Sequence, residues 1–150
     1  MKQFTLPKTE RLYLRESIGE LFANGRTFMV FPYRVVYLIR KDDADQQPAP
    51  QKQGRCAIMA VAPKKRFKHA VARNHVKRLT REAYRLQKLP LLDALQQNGL
   101  AMEVAFLYVD NKFISFDETC RLMGKALGRL QRFVRSEAKH DTEAPNRKPS

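Results

Sequence analysis

The sequence predicts an α+β domain, a two-layer sandwich with helices packed on a small mixed sheet of about four strands. Three observations predict it. Apolar runs with strand character occupy 33–40 (YRVVYLIR), 55–62 (RCAIMAVA) and 101–109 (AMEVAFLYV). Segments of helical periodicity precede, separate and follow these runs. The chain has 150 residues, 43% of them hydrophobic, which suits one domain with a substantial core. Strands joined through helices are the pattern of helices layered on a sheet.

The elements follow in order. Residues 1–8 read as extended, closed by Pro7. Thr9 is placed to cap a helix running to Asn24, with Leu14, Ile18, Leu21 and Phe22 as its apolar stripe. Asn24-Gly25 offers a left-handed stop. A short strand over 27–31 ends at Pro32, and the 33–40 strand follows. Residues 41–54 (KDDADQQPAPQKQG) are polar and carry two prolines, so they are expected to be a mobile connection. Pro63 ends the 55–62 strand. A helix begins at Ala70 and stops before Pro90. A short helix over 90–97 is closed by Asn98-Gly99 ahead of the 101–109 strand. Ser115 and Glu118 form a capping box that opens the last helix. Its stripe is Met123, Leu127, Leu130 and Val134, and Gly124 and Gly128 are expected to pack closely on the sheet. The domain is expected to span 1–138, with a disordered tail over 139–150.

The net charge is +14. Such an excess points to a nucleic acid first and an anionic membrane surface second. No run approaches the ~20 apolar residues of a membrane span, and the N-terminus lacks a signal-peptide core. Cys56 and Cys120 have no paired spacing for zinc or a disulfide framework. They read as small apolar residues in a reducing compartment, so a cytoplasmic protein without a membrane partner is expected.

The charge concentrates in 64–85, KKRFKHAVARNHVKRLTREAYR. It holds Lys64, Lys65, Arg66, Lys68, Arg73, Lys77, Arg78, Arg81 and Arg85, opposed only by Glu82. From Ala70 the helical period sorts them. Ala72, Val76, Leu79, Ala83 and Leu86 fall on one arc, and the cations with Asn74 fall on the opposite one. Arg73, Lys77, Arg81 and Arg85 recur every four residues with one sign. Like charges so placed repel by roughly 0.2–0.5 kcal/mol per pair. A solvated surface helix usually mixes signs, so this face suits a phosphate backbone. His69 and His75 have no second ligand at metal spacing, and His75 suits an RNA contact or solvent.

No catalytic constellation is visible. The acidic cluster Asp42, Asp43 and Asp45 sits in the polar connection, a poor place to fix metal ions. Asp117 and Glu118 suit a helix N-terminus. No nucleophile elbow, phosphate-binding glycine loop or HExxH occurs. The chain reads as a binder with no catalytic residue or metal site of its own. A DNA-binding regulator would need a helix-turn-helix pair, whereas this basic helix lies between strands. A general RNA-binding or ribosome-associated protein is the alternative. Phe22 and Tyr37 could meet across the helix–sheet interface, either as core or as a platform for unpaired bases.

The run Ala70 to Glu82 closely resembles the signature of the bacterial ribonuclease P protein subunit, A-V-x-R-N-R-[IV]-K-R-x-x-R-E after a strand and a K-K run. Lys64-Lys65 supply that run. Leu12, Ile18, Leu21, Phe22 and Gly25 fit the family's first-helix rhythm, and the likeness spans roughly 4–136. The chain departs from the pattern in two places. His75 stands where a third Arg is usual, and Lys68 where a Gly is common. The resemblance implies a left-handed βαβ crossover. It also implies a ribonucleoprotein that removes the 5′ leader of precursor tRNA, with ribonuclease P RNA as the catalyst and Mg2+ bound mainly by that RNA. It implies one protein per RNA and a monomer when free. Arg73, Asn74, His75, Lys77, Arg78, Arg81 and Arg85 would face the RNA, extended by Lys64, Lys65, Arg66 and Lys68. Ile18, Phe22 and Tyr37 would line the leader cleft.

Overall fold

A computed structural model describes residues 15–41 and 56–143. Its elements are α1 (Arg15–Asn24), β1 (Arg26–Val30), β2 (Tyr33–Lys41), β3 (Cys56–Val61), α2 (Ala70–Gln87), α3 (Leu89–Asn98), β4 (Leu100–Tyr108) and α4 (Phe116–Glu143). The expected cap at Thr9, the side chain of Leu14, the acidic trio 42, 43 and 45 and most of the 41–54 connection lie outside the described residues. Helix α4 runs past the expected boundary at 138.

The four strands form one mixed sheet in the order β1-β2-β4-β3. β1 and β2 are antiparallel, as are β2 and β4, whereas β3 and β4 are parallel. A parallel pair needs a crossover, and α2 with α3 supplies it. The sheet therefore has an α+β arrangement with the basic helix inside a βαβ unit.

Period-2 alternation divides the strands between two faces. Tyr33, Val35 and Tyr37 of β2, with Cys56, Ile58, Val104 and Phe106, share the main core with residues of α2, α3 and α4. Leu122, Met123, Ala126, Leu127, Leu130 and Val134 give α4 a continuous buried stripe. The opposite face carries a smaller cluster of Val36, Ala57 and Ala105 capped by Leu21 of α1. Ile18, Leu38, Met59 and Leu107 pack around it. The main two-layer core is thus the sheet with α2, α3 and α4, and α1 covers part of the sheet's other side.

The helix ends show their chemistry. Gly99 stops α3 at φ 64°, with its N–H on the carbonyls of Gln96 and Leu95. Gly25 ends α1 for a different reason from the left-handed stop expected there. A Cβ at Gly25 would sit 2.4 Å from the Leu21 carbonyl oxygen and 3.0 Å from that of Tyr37. Close approach of α1's own Leu21 carbonyl and of β2, not positive φ, requires glycine. The Ser115 hydroxyl accepts from the Glu118 N–H at 3.1 Å and opens α4. The Glu118 carboxylate turns instead to Arg121, with Nε 2.9 Å away.

Candidate nucleic-acid interface

Helix α2 stands on a buried stripe of Val76, Thr80, Ala83 and Tyr84. The stripe keeps Val76 and Ala83 of the expected apolar arc but is rotated from it by roughly 60° toward Thr80 and Tyr84. Leu86, expected inside, is 45% exposed. Thr80 takes an inner place because its hydroxyl has partners. It donates to the Val76 carbonyl at 2.9 Å and meets the Tyr33 hydroxyl at 2.7 Å. A buried hydroxyl so paired avoids its desolvation penalty.

The rotation redistributes the cations. Asn74 and Arg78 are exposed, and Lys77, Arg81, Arg85 and His75 are half-buried. Arg73 is drawn back to the helix start. Its Nη1 donates to the carbonyls of Phe67, at 3.0 Å, and Lys68, at 2.9 Å. No acidic residue occupies the first turn of α2, and no side chain caps it at His69. Arg73 thus ties down the link before the helix while keeping its charge on the face. The link is itself basic. Lys64, Lys65, Lys68 and His69 are exposed, and Phe67 anchors the segment in the core.

One salt bridge and one hydrogen bond shape the potential. Glu82 accepts from Arg85 Nη2 at 2.7 Å and from Nε at 3.3 Å, and this pairing lowers the Glu82 pKa and raises that of Arg85. Arg85, expected on the RNA-facing surface, has its charge offset by Glu82 within one helical turn. Arg78 Nη2 lies 3.4 Å from His75 Nδ1.

A segment distant in sequence completes this surface. Phe113 stacks on Phe67 with centroids 5.2 Å apart and planes 3° from parallel. His75 meets the same ring edge-on at 5.2 Å. Arg66 Nη1 reaches Asn111 Oδ1 at 3.5 Å. Residues 111–113, with Lys112, therefore lie beside the basic link and helix. Sequence reading missed them, since no periodicity connects the β4–α4 loop to α2.

The expected leader-cleft trio does not come together. Ile18 and Phe22 lie on α1, with Phe22 46% exposed. Tyr37 is 5% exposed on the other face of the sheet, packed between Phe28 and Phe133. Its odd place in β2 puts it opposite Val36, which is the residue that α1 covers. Tyr37 is a core residue, and the pairing of Phe22 with Tyr37 is corrected. The residues that share α1's side of the sheet are Leu38, Met59 and Leu107. Period-2 alternation from Val36 would have found them.

On that side Glu103 of β4 is paired with Arg40 of β2. Glu103 is 2% exposed, and burial, reinforced by Glu20, pushes its carboxyl up against the opposing pull of Arg40. Among the described residues no group of three His, Cys, Asp or Glu side chains could hold a metal ion. Neither Cys56 nor Cys120 forms a disulfide among the described residues; the first is buried and the second partly so. No helix among the described residues is long and apolar enough to cross a membrane.

Comparison with known proteins agrees with this architecture. The family described as Ribonuclease P matches residues 6–131. The ribonuclease P protein component of Porphyromonas gingivalis is 40% identical over 135 residues, covering 90% of this chain and 93% of the relative. That of Chlorobium phaeobacteroides is 30% identical over 139 residues, covering 87% and 88%. The solved Staphylococcus aureus RNase P protein superposes with a TM-score of 0.58 at 15% identity, covering 79% of this chain and 93% of that one. The Thermotoga maritima RNase P protein gives 0.55 at 21%, covering 80% and 96%. At such identities the two structures speak for the fold, whereas the family match and the 40% relative speak for descent: the chain belongs to the ribonuclease P protein family.

Proposed function

We propose that this chain is the protein subunit of a cytoplasmic ribonuclease P, binding the catalytic RNA through α2 and the 64–69 link. One protein serves one RNA, and the free protein is a monomer. The observation that carries the reading is the cationic face of α2 on a fixed base. Val76, Thr80, Ala83 and Tyr84 hold the helix rigidly, so Asn74, Lys77, Arg78 and Arg81 meet a phosphate backbone with little loss of freedom. Phosphodiester hydrolysis belongs to the RNA, which also binds most of the Mg2+.

The same reading gives the 5′ leader of precursor tRNA to the side of the sheet that α1 partly covers. Phe22 is the exposed ring on α1, Ile18 is its half-buried neighbour, and Met59 and Leu107 are half-buried nearby on the sheet. Unpaired bases stack on such apolar surface. Holding the leader raises affinity for precursor over mature tRNA, which favours substrate over product.

Reconstitution tests this. Ribonuclease P RNA and precursor tRNA at low magnesium should cleave slowly alone and faster with the protein added. An unchanged rate, with the protein folded, would remove the chain from the holoenzyme. The protein without RNA should leave precursor tRNA intact.

A further inference from the structure

A second cationic surface lies away from α2. Arg121, Lys125, Arg129 and Arg132 fall within about 80° of arc on α4 at the helical repeat. They line one side of an open groove of about 640 Å³. Met29, Val30 and Phe31, at the end of edge strand β1, line the other. Among the described residues no carboxylate lines the groove. Glu118, one turn before it, is engaged with Arg121. Arg129 is held in place, with its guanidinium 4.3 Å from the Phe28 ring centroid and Nη1 3.2 Å from the Met29 carbonyl oxygen. Lys125 and Arg132 are exposed. Phe31 presents a ring that is 62% exposed.

At Gly128 the groove floor is bare for no packing reason. Gly124 and Gly128 both line it, one turn apart on α4. A Cβ at Gly128 would meet nothing within 4 Å, and one at Gly124 would meet only the end of the Gln87 side chain, at 3.0 Å. Among the described residues neither glycine packs on the sheet as expected: Gly124 lies against Gln87 of α2, and Gly128 faces open space. Glycine inside a helix weakens it relative to alanine, so an open site is a poor structural reason for one. A backbone that approaches the helix closely is a better one.

We infer that this α4–β1 groove is a second RNA-binding surface, taking an unpaired segment of the same RNA that α2 engages. The inference rests on the function proposed above. Cations along one wall match a phosphate backbone, and Phe31 on the other offers a stacking face for a base. α4 packs on the same side of the sheet as α2, so one folded RNA can touch both. The leader surface beside α1 lies across the sheet. An anionic membrane fits less well, because the apolar stripe of α4 is committed to the core.

The test uses the full chain and ribonuclease P RNA. Lys125→Gln with Arg132→Gln should weaken RNA binding about tenfold and lower the log–log salt slope by roughly 1.4–1.8, for two phosphate contacts. Gly128→Leu fills the groove without changing charge and should weaken binding at least as much. A photocrosslinking amino acid replacing Phe31 should attach to unpaired nucleotides of the RNA in the holoenzyme. Normal binding by Gly128→Leu, or crosslinks confined to the tRNA leader, would overturn the inference. So would a Lys125/Arg132 dependence seen with phosphatidylglycerol vesicles but not with the RNA. Lys77→Gln with Arg78→Gln is measured alongside. If that variant alone binds normally, the α2 reading fails; if the groove variants alone do, the groove does.

Discussion

The ring of Tyr37 lies parallel to that of Phe133, with centroids 5.0 Å apart and planes 4° from parallel. Phe28 closes the cluster, 5.9 Å from Tyr37 and 5.6 Å from Phe133. This packing joins β2 to α4 across the main core. Tyr37→Ala should therefore lower stability by on the order of 3 kcal/mol, through lost burial and the cavity left behind. Its effect on precursor and mature tRNA should be equal. Phe22→Ala should leave the melting temperature nearly unchanged. It should weaken precursor tRNA binding by roughly 1–3 kcal/mol if the ring stacks on a leader base. Paired binding assays with both substrates, beside thermal melts, check both expectations.

The Tyr33–Thr80 hydroxyl contact ties the sheet to the basic helix at 2.7 Å. Thr80→Val leaves the buried Tyr33 hydroxyl without this partner and should cost about 1–3 kcal/mol. The double variant Tyr33→Phe, Thr80→Val should be less destabilised than the sum of the singles, as a shared interaction requires. Additive losses in urea unfolding would show that the two hydroxyls are not coupled.

The cations of the α2 face should separate into two behaviours. Arg78 is exposed, so Arg78→Ala should weaken RNA binding and reduce the salt slope by roughly 0.7–0.9 without moving the melting temperature. Arg73→Ala should do the same and also lower the melting temperature, because it loses two hydrogen bonds to the Phe67 and Lys68 carbonyls. Glu82→Gln removes the carboxylate that offsets Arg85 and should tighten RNA binding, most visibly at low salt. Filter binding across a salt series distinguishes these outcomes.

Glu103 should leave a signature in the pH dependence of stability. Its folded pKa is raised by burial, so the folded state holds the proton where the unfolded state has lost it. By linkage the wild type loses stability as pH rises from the ordinary value of 4.5 up to the raised folded value. Glu103→Gln removes this term. The variant's stability relative to wild type should therefore rise across that window and then level off. Melts from pH 4 to 8 test it, and a difference that shrinks with rising pH would mean that Arg40 outweighs burial.

The sequence by itself determined the elements, the composition of the core and the basic helix. These are properties of local pattern. The run 101–109 could only be a buried strand, and α4's stripe of Met123, Leu127, Leu130 and Val134 is fully inside. The cations and Asn74 follow one another at helical spacing, so the candidate interface was legible before any contact was known. Its family signature lies in the same contiguous run.

Tertiary structure decided which face each residue occupies and what meets it there. Adjacent residues of β2 point to opposite sides of the sheet, and only the placement of α1 over Val36 sends Tyr37 to the α4 side. The rotation of α2 toward Thr80 goes with the Thr80–Tyr33 contact, between residues 47 apart in sequence. Gly128 lines an open groove bounded by α4 and the end of β1, which no glycine spacing reveals. Periodicity gives each element its apolar side, but the partner of that side is set by long-range packing, where the sum of burial and satisfied polar groups selects one arrangement.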